Sequence, residues 1–232
     1  MPILSEQTFN RVTKVLLAPV SPLQIFLDAP SPTHGYCLQQ AYDILRQDGK
    51  DEVAAYFCSY DNDLQEGLSW ADRGWKNICH YFYDPEKQGR VHWPGADAEC
   101  QYYFNKAAAA FQRNISKGMF YLGAALHIVQ DMCVPHHALG VIFDGHQEFE
   151  RWTINNLDCF IVKGNGIYKS FTHPTQWIRY NAEIASRFFQ LVSQENGCSE
   201  ESYNAAAGKL LPLTVLTTAG FLDFAKPFLQ RG

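Results

Sequence analysis

No CxxC pair occurs in this chain, and its seven cysteines are odd in number and scattered. A disulfide framework needs an even, patterned set, so free thiols buried in apolar helical runs are the expectation. Basic residues are few: 19 Lys and Arg face 24 Asp and Glu, a net charge of −5. No Lys/Arg block or basic stripe exists to follow a phosphate backbone, which argues against nucleic acid as a partner. Long apolar runs are missing as well. None reads as a bilayer span, and the apolar stretch VTKVLLAPVSPLQIFL is broken by Pro19 and Pro22. With no secretory signal and no transmembrane segment legible, a cytoplasmic location is expected. Alternating strands are nearly absent, and there is no internal repeat or low-complexity tract.

What is present is ordinary globular material: 47% hydrophobic and 19% charged residues over 232 positions, enough for one domain with a full core. Aromatics reach 14%, which suits either a packed core or a ring-lined cleft. Helical periodicity dominates. One helix is expected from Glu6 to Leu17, and another after a Thr33 cap that stops near Gly49. A third opens at Asp51 and runs through Leu68; a fourth covers Ala96 to Asn114. Ser116 starts the helix that carries His127 and Asp131, and Pro135 ends it. Gly145 precedes the helix of His146 and Glu150, and two more run from Thr175 to Gln194 and from Glu200 to Leu229, the last with Pro212 inside it. Residues 159–171, with GNG at the turn, read as a single short hairpin. The fold expected is all-α: one multi-helix domain over residues 1–232, with residues 1–33 as an extension packed on it.

The densest chemistry lies in HIVQDMCVPHHALGVIFDGHQEFE. His127 and Asp131 are four apart, as are His146 and Glu150. On a helix such pairs lie one above the other, so each can close on one point. Imidazole and carboxylate are ligands zinc accepts, and His137 sits between the pairs just past Pro135. A single HxxxD is common on solvated helix faces. Two of them around a histidine, after the apolar run MFYLGAAL, leave two readings: a metal site or a satisfied buried polar network. Further candidates lie upstream: His34 in PTHGYCLQQAYDIL, and Asp72 and His80 in GLSWADRGWKNICHYFYDP. Cys133, two past Asp131, points elsewhere and reads as structural. His136 reads as a supporting or surface residue, and His92 and His173 as solvated. Trp70, Trp75, Tyr81, Phe82 and Tyr83 read as core before cleft.

Taken together, THGYCLQQAYDIL, GLSWAD, HYFYDP, FYLGAALHIVQDMCVPHH and HQEFE resemble the zinc-dependent phospholipase C family, which includes the bacterial phosphatidylcholine-hydrolysing enzymes and the catalytic domain of clostridial alpha-toxin. P1-type nucleases are more distant relatives. The likeness runs from His34 to Trp177, with GNGIYKSFTHPTQWI as its last segment. It implies an all-helical domain holding about two to three zinc ions in a cleft. Carried over by position, His80, His127, Asp72 and Asp131 hold one ion; His137, His146 and Glu150 hold a second; His34 holds a third, with Asp131 bridging. Asp72 is the implied proton acceptor and Glu150 the alternative.

Three departures qualify the resemblance. An N-terminal tryptophan completes the third site in secreted members, whereas this chain begins Met-Pro-Ile and places 33 residues before His34. Asp72 and His80 are closer together than in those enzymes, which leaves Asp61 and Asp63 as alternatives to Asp72. Arg73 stands where the choline-specific enzyme has an aromatic, and a cation repels a quaternary ammonium, so choline specificity is not carried over. The toxin's separate membrane-docking domain is not expected, because the chain ends just after the helical one. The implied function is hydrolysis of a phospholipid or other phosphodiester, with peripheral membrane contact. The alternatives are a P1-type nuclease or nucleotidase and a non-catalytic zinc-stabilised binding protein.

Overall fold

Helices make up all the regular structure among the described residues. A computed structural model describes residues 32–73, 80–82 and 95–230. They form α1 (Pro32–Gln47), α2 (Asp51–Cys58), α3 (Asp61–Ala71), α4 (Ala96–Phe111), α5 (Ile115–Asp131), α6 (Pro135–Leu139), α7 (His146–Asn155), α8 (Pro174–Ala185), α9 (Phe189–Val192) and α10 (Glu200–Gln230). Leu157–Cys159 and Ser186–Phe188 are short 3-10 turns. The expected helix from Glu6 to Leu17, the rest of the N-terminal extension, and the readings made for Trp75, Tyr83 and His92 lie outside the described residues.

α5 is the axis of the fold. Asn114 caps it by accepting a hydrogen bond from the Lys117 N–H at 2.9 Å. Every residue from Leu122 to Asp131 is buried. A helix apolar on all faces belongs inside, and α3 and α4 pack most extensively against it. Two glycines set how closely α3 approaches: a Cβ at Gly67 would run into the carbonyl oxygen of Phe120, and one at Gly123 into that of Leu64. Backbone therefore meets backbone, and the end of α3 is drawn down beside the last turns of α5.

α10 covers the other side. Its helix continues through Pro212 and Pro227. By length and composition Glu200–Leu229 could cross a membrane, which the sequence reading did not anticipate, but 72% of its most apolar window is buried inside the protein. That apolar surface is used as core, packed on α1, α5 and α8.

Two elements differ from expectation. The helix begun at Asp51 breaks after Cys58, where the Ser59 hydroxyl donates to the Tyr56 carbonyl at 2.7 Å and competes with the helix ladder. The hairpin expected over 159–171 does not form, because its backbone groups pair elsewhere. Gly166 N–H donates to the Asp48 carboxylate at 2.7 Å and Ile167 N–H to the Leu216 carbonyl at 2.9 Å. Gly220 lets this segment lie on α10, since a Cβ there would collide with the Ile167 carbonyl oxygen. Six cysteines are described and all are free; Cys37, Cys100 and Cys133 are buried. Burial pushes the Cys133 thiol up to about 12, which makes it inert at neutral pH.

Candidate metal centre

His127 and Asp131 occupy the last two turns of α5 at 0% and 3% exposure, so water cannot satisfy them. The Asp131 carboxylate faces two ways. Oδ2 lies 2.9 Å from His80 Nδ1 and 3.1 Å from His127 Nε2, while Oδ1 lies 3.4 Å from His34 Nε2. Asp72 sits just past α3, where the close glycine packing puts its Oδ1 3.1 Å from His127 Nε2. These are ligand-like approaches rather than hydrogen bonds. Both ring nitrogens of His80, both of His127 and Oδ2 of Asp131 are buried without a hydrogen-bond partner. Buried polar atoms left this way are costly, and a divalent cation would satisfy those that converge: His80 Nδ1, His127 Nε2 and Asp131 Oδ2.

The second group forms at the start of α7. Pro135 sits in the first turn of α6 and Gly140 ends it in the left-handed region (φ 70°). The chain then returns so that α6 sets His137 opposite α7. His146 Nε2 and His137 Nε2 lie 3.0 and 3.5 Å from the same Glu150 oxygen, Oε1. His137 Nδ1 donates to the His80 carbonyl at 3.1 Å, which turns its other nitrogen toward Glu150. That bond also ties the two groups together.

All eight sequence candidates thus meet. His34, His127 and Asp131 form one set, Asp72, His80 and His127 another, and His137, His146 and Glu150 a third, each with ligand atoms within 4.8 Å of one another. Asp61 and Asp63 do not join them; Asp61 instead accepts from Gln39 and Tyr42. Three candidate ligands reach solvent: the side chains of His34, Asp72 and Glu150 are 14%, 21% and 42% exposed. A cavity of about 230 Å³ opens beside His34 and Asp72, lined also by Gly35, Gln65 and Ser69 among others.

The charges fit a cation. Burial works to raise the Asp131 carboxyl, but the imidazoles of His127 and His137 outweigh it and hold it well below the ordinary range. Glu150, although partly exposed, is likewise depressed, by His146 and His137. Burial raises Asp72 too, and His127 overrides it. Burial lowers His34 and His80, keeping them neutral. In His127 burial is overcome by the Asp131 and Asp72 carboxylates, which raise it well above 6.5. His137 is raised in the same way by Asp131 and Glu150.

Three residues support the site, of which Gln130 and Tyr81 were not singled out from the sequence in these roles. Gln130 is 2% exposed; its Oε1 accepts from His34 Nδ1 at 2.8 Å and its amide donates to Thr218 at 3.1 Å. Its place at the end of an apolar run, beside Asp131, carried no spacing that marked it. Tyr81, read as core, stacks on His137 with ring centroids 4.8 Å apart and brings its hydroxyl to 3.5 Å from His146 Nδ1. His136, read as supporting or surface, is the former: fully buried, it stacks on His146 at 4.9 Å and donates to the Asp144 carbonyl at 3.0 Å. His173 is exposed, as expected, and caps α8.

Comparison with known proteins identifies the fold and the family. Two curated phospholipases C from Bacillus cereus are each 24% identical over 185 residues, covering 71% of this chain and 64% of their own length. Alpha-toxin from Clostridium absonum superposes with a TM-score of 0.72 at 20% identity, over 86% of this chain and 64% of the toxin. Clostridium perfringens alpha-toxin, from an avian strain, gives 0.71 at 20% identity with the same coverage. The shared all-helical fold is the content of those two matches. The chain spans 64% of the length of the curated relatives it matches. The model of the zinc dependent phospholipase C family matches residues 33–198, most of the chain and every candidate ligand, and the protein belongs to that family.

Proposed function

We propose that this protein is a zinc-dependent phosphodiester hydrolase that cleaves a phospholipid headgroup in the manner of a phospholipase C. One observation carries the reading: Asp131 turns its two carboxylate oxygens toward different histidines, His34 on one side and His80 with His127 on the other. That is the disposition of a bridging ligand. His80, His127, Asp72 and Asp131 would hold one ion, His137, His146 and Glu150 a second, and His34 with Asp131 a third. Bound zinc supplies polarisation of the phosphoryl oxygens and a lowered pKa for water.

The protein's own groups do the rest. Gln130 and the His80 carbonyl fix the faces that His34 and His137 present, so the site is organised before substrate arrives. Asp72, ionised and partly exposed at the cleft, accepts the proton lost from the attacking water. Glu150 is the second candidate for that role. The exposed side chain of Arg73, next to Asp72, disfavours a quaternary ammonium headgroup.

The test is product identity. Zinc-loaded protein is given phosphatidylethanolamine, phosphatidylinositol and phosphatidylcholine vesicles and, separately, single-stranded nucleic acid. Diacylglycerol with a phosphorylated headgroup is expected. Mononucleotides alone, or no turnover with zinc bound, would replace this reading with a nuclease or a non-catalytic zinc module.

A further inference from the structure

Between His137 and His146 the chain displays apolar side chains to solvent. Leu139 is 43% exposed, Ile142 54% and Phe143 75%, the last being the most exposed large hydrophobic side chain among the described residues. Scattered exposed hydrophobics are ordinary, but these three fall within residues 139–143.

The display is built rather than slack. Val141 N–H donates to the His136 carbonyl at 2.9 Å. Asp144 is held in the left-handed region (φ 63°), a conformation a non-glycine residue keeps only when its surroundings fix it. Here they do: its carboxylate accepts from the Ser193 hydroxyl at 2.6 Å and from the Glu195 N–H at 2.8 Å, and its carbonyl accepts from His136 Nε2 at 3.0 Å. The backbone is braced from beneath while Ile142 and Phe143 point away. Such a tip binds without a large ordering penalty.

Its occupant follows from position, area and charge. The tip is joined at both ends to residues of one metal group, so whatever holds it lies beside the place a phosphodiester must reach. A phospholipid carries apolar chains next to its phosphodiester. Three side chains present only a few hundred Å², far below the roughly 1,200–2,000 Å² of a stable protein interface. No Lys or Arg occurs between Lys117 and Arg151, so attraction to anionic surfaces is not what the tip offers. We infer that Leu139, Ile142 and Phe143 insert into the interface of a zwitterionic phospholipid bilayer and seat the cleft on its substrate; this rests on the phospholipase reading above.

The experiment compares zinc-loaded wild type with the I142S/F143S double variant, whose changes lie on the surface. Flotation with mixed phosphatidylcholine and phosphatidylethanolamine vesicles reads partitioning. The ratio of vesicle hydrolysis to hydrolysis of monomeric short-chain phosphatidylethanolamine reads productive seating. Partitioning and the ratio are both expected to fall about tenfold or more, with little dependence on salt. Unchanged partitioning, or a fall in oligomeric state with partitioning unchanged, would overturn the inference. If wild type partitions through the tip yet hydrolyses no phospholipid, the functional reading fails and the tip remains.

Discussion

Replacing Gln130 with leucine removes two hydrogen bonds while nearly keeping side-chain volume. The lost bonds are those to His34 Nδ1 (2.8 Å) and Thr218 Oγ1 (3.1 Å). Thr218 lies within α10, where a threonine hydroxyl can turn back to the carbonyl four residues earlier, which limits that loss. His34 loses the side chain that holds its Nδ1, and its ring becomes free to change tautomer or rotate away from Asp131. Leaving a buried donor unpaired costs about 1–3 kcal/mol of stability. Loss of an orienting partner weakens a metal ligand by about 10–100-fold in affinity, or about 1.4–2.8 kcal/mol. Zinc titration against a chromophoric chelator reads this directly. One class of site should weaken by that factor, while the His137–His146–Glu150 group, which Gln130 does not touch, keeps its affinity. Equal weakening at every site, or none at any, would refute the argument that Gln130 orients His34.

Four other outcomes follow from the same geometry. Gly123→Ala forces α3 away from α5 because its Cβ meets the Leu64 carbonyl; overpacking of this kind costs about 1–3 kcal/mol, and a thermal melt should show Tm lower by about 3–10 °C. Asp131→Asn exchanges one ligand oxygen for an NH2 group whose nitrogen cannot bind a cation, so metal analysis should show the loss of at least one zinc; unchanged content would remove the bridging role. In the metal-free protein the raised His127 stabilises the fold fully below 6.5 and loses that contribution as pH rises through its folded value, whereas the depressed Asp72 and Asp131 contribute above 3.8 and lose it as pH falls. Zinc takes unprotonated imidazole, so binding near neutral pH should release protons from His127 and His137. Its affinity should fall by about tenfold per pH unit for each proton displaced, as measured by calorimetry in buffers of different ionisation enthalpy.

The helical fold and the two spaced pairs of the site were legible in the sequence for a simple reason: both are periodic or local, whereas His34, Asp72 and His80 were assigned only through the family resemblance. Spacing of four on a helix pairs His127 with Asp131 and His146 with Glu150 wherever the helix goes. What spacing could not say is which oxygen faces which ring, because that depends on how far α3 sinks onto α5, and glycines 67 and 123 decide it through contacts absent from the sequence. The hairpin over 159–171 was misread for a related reason. Its GNG turn and apolar flanks satisfy the pattern of a strand pair, but Asp48 and the Leu216 carbonyl offer its N–H groups partners from distant parts of the chain. Gln130 was passed over because a single amide next to Asp131 has no spacing to announce it.

Zinc content and position, read together by anomalous diffraction at the zinc edge from crystals of the protein as purified, test the central claim most directly. The account expects density between Asp131 and the rings of His80 and His127, and separate density among His137, His146 and Glu150. Crystals from zinc-sufficient protein in which those side chains hydrogen-bond one another, with no metal between them, would contradict it.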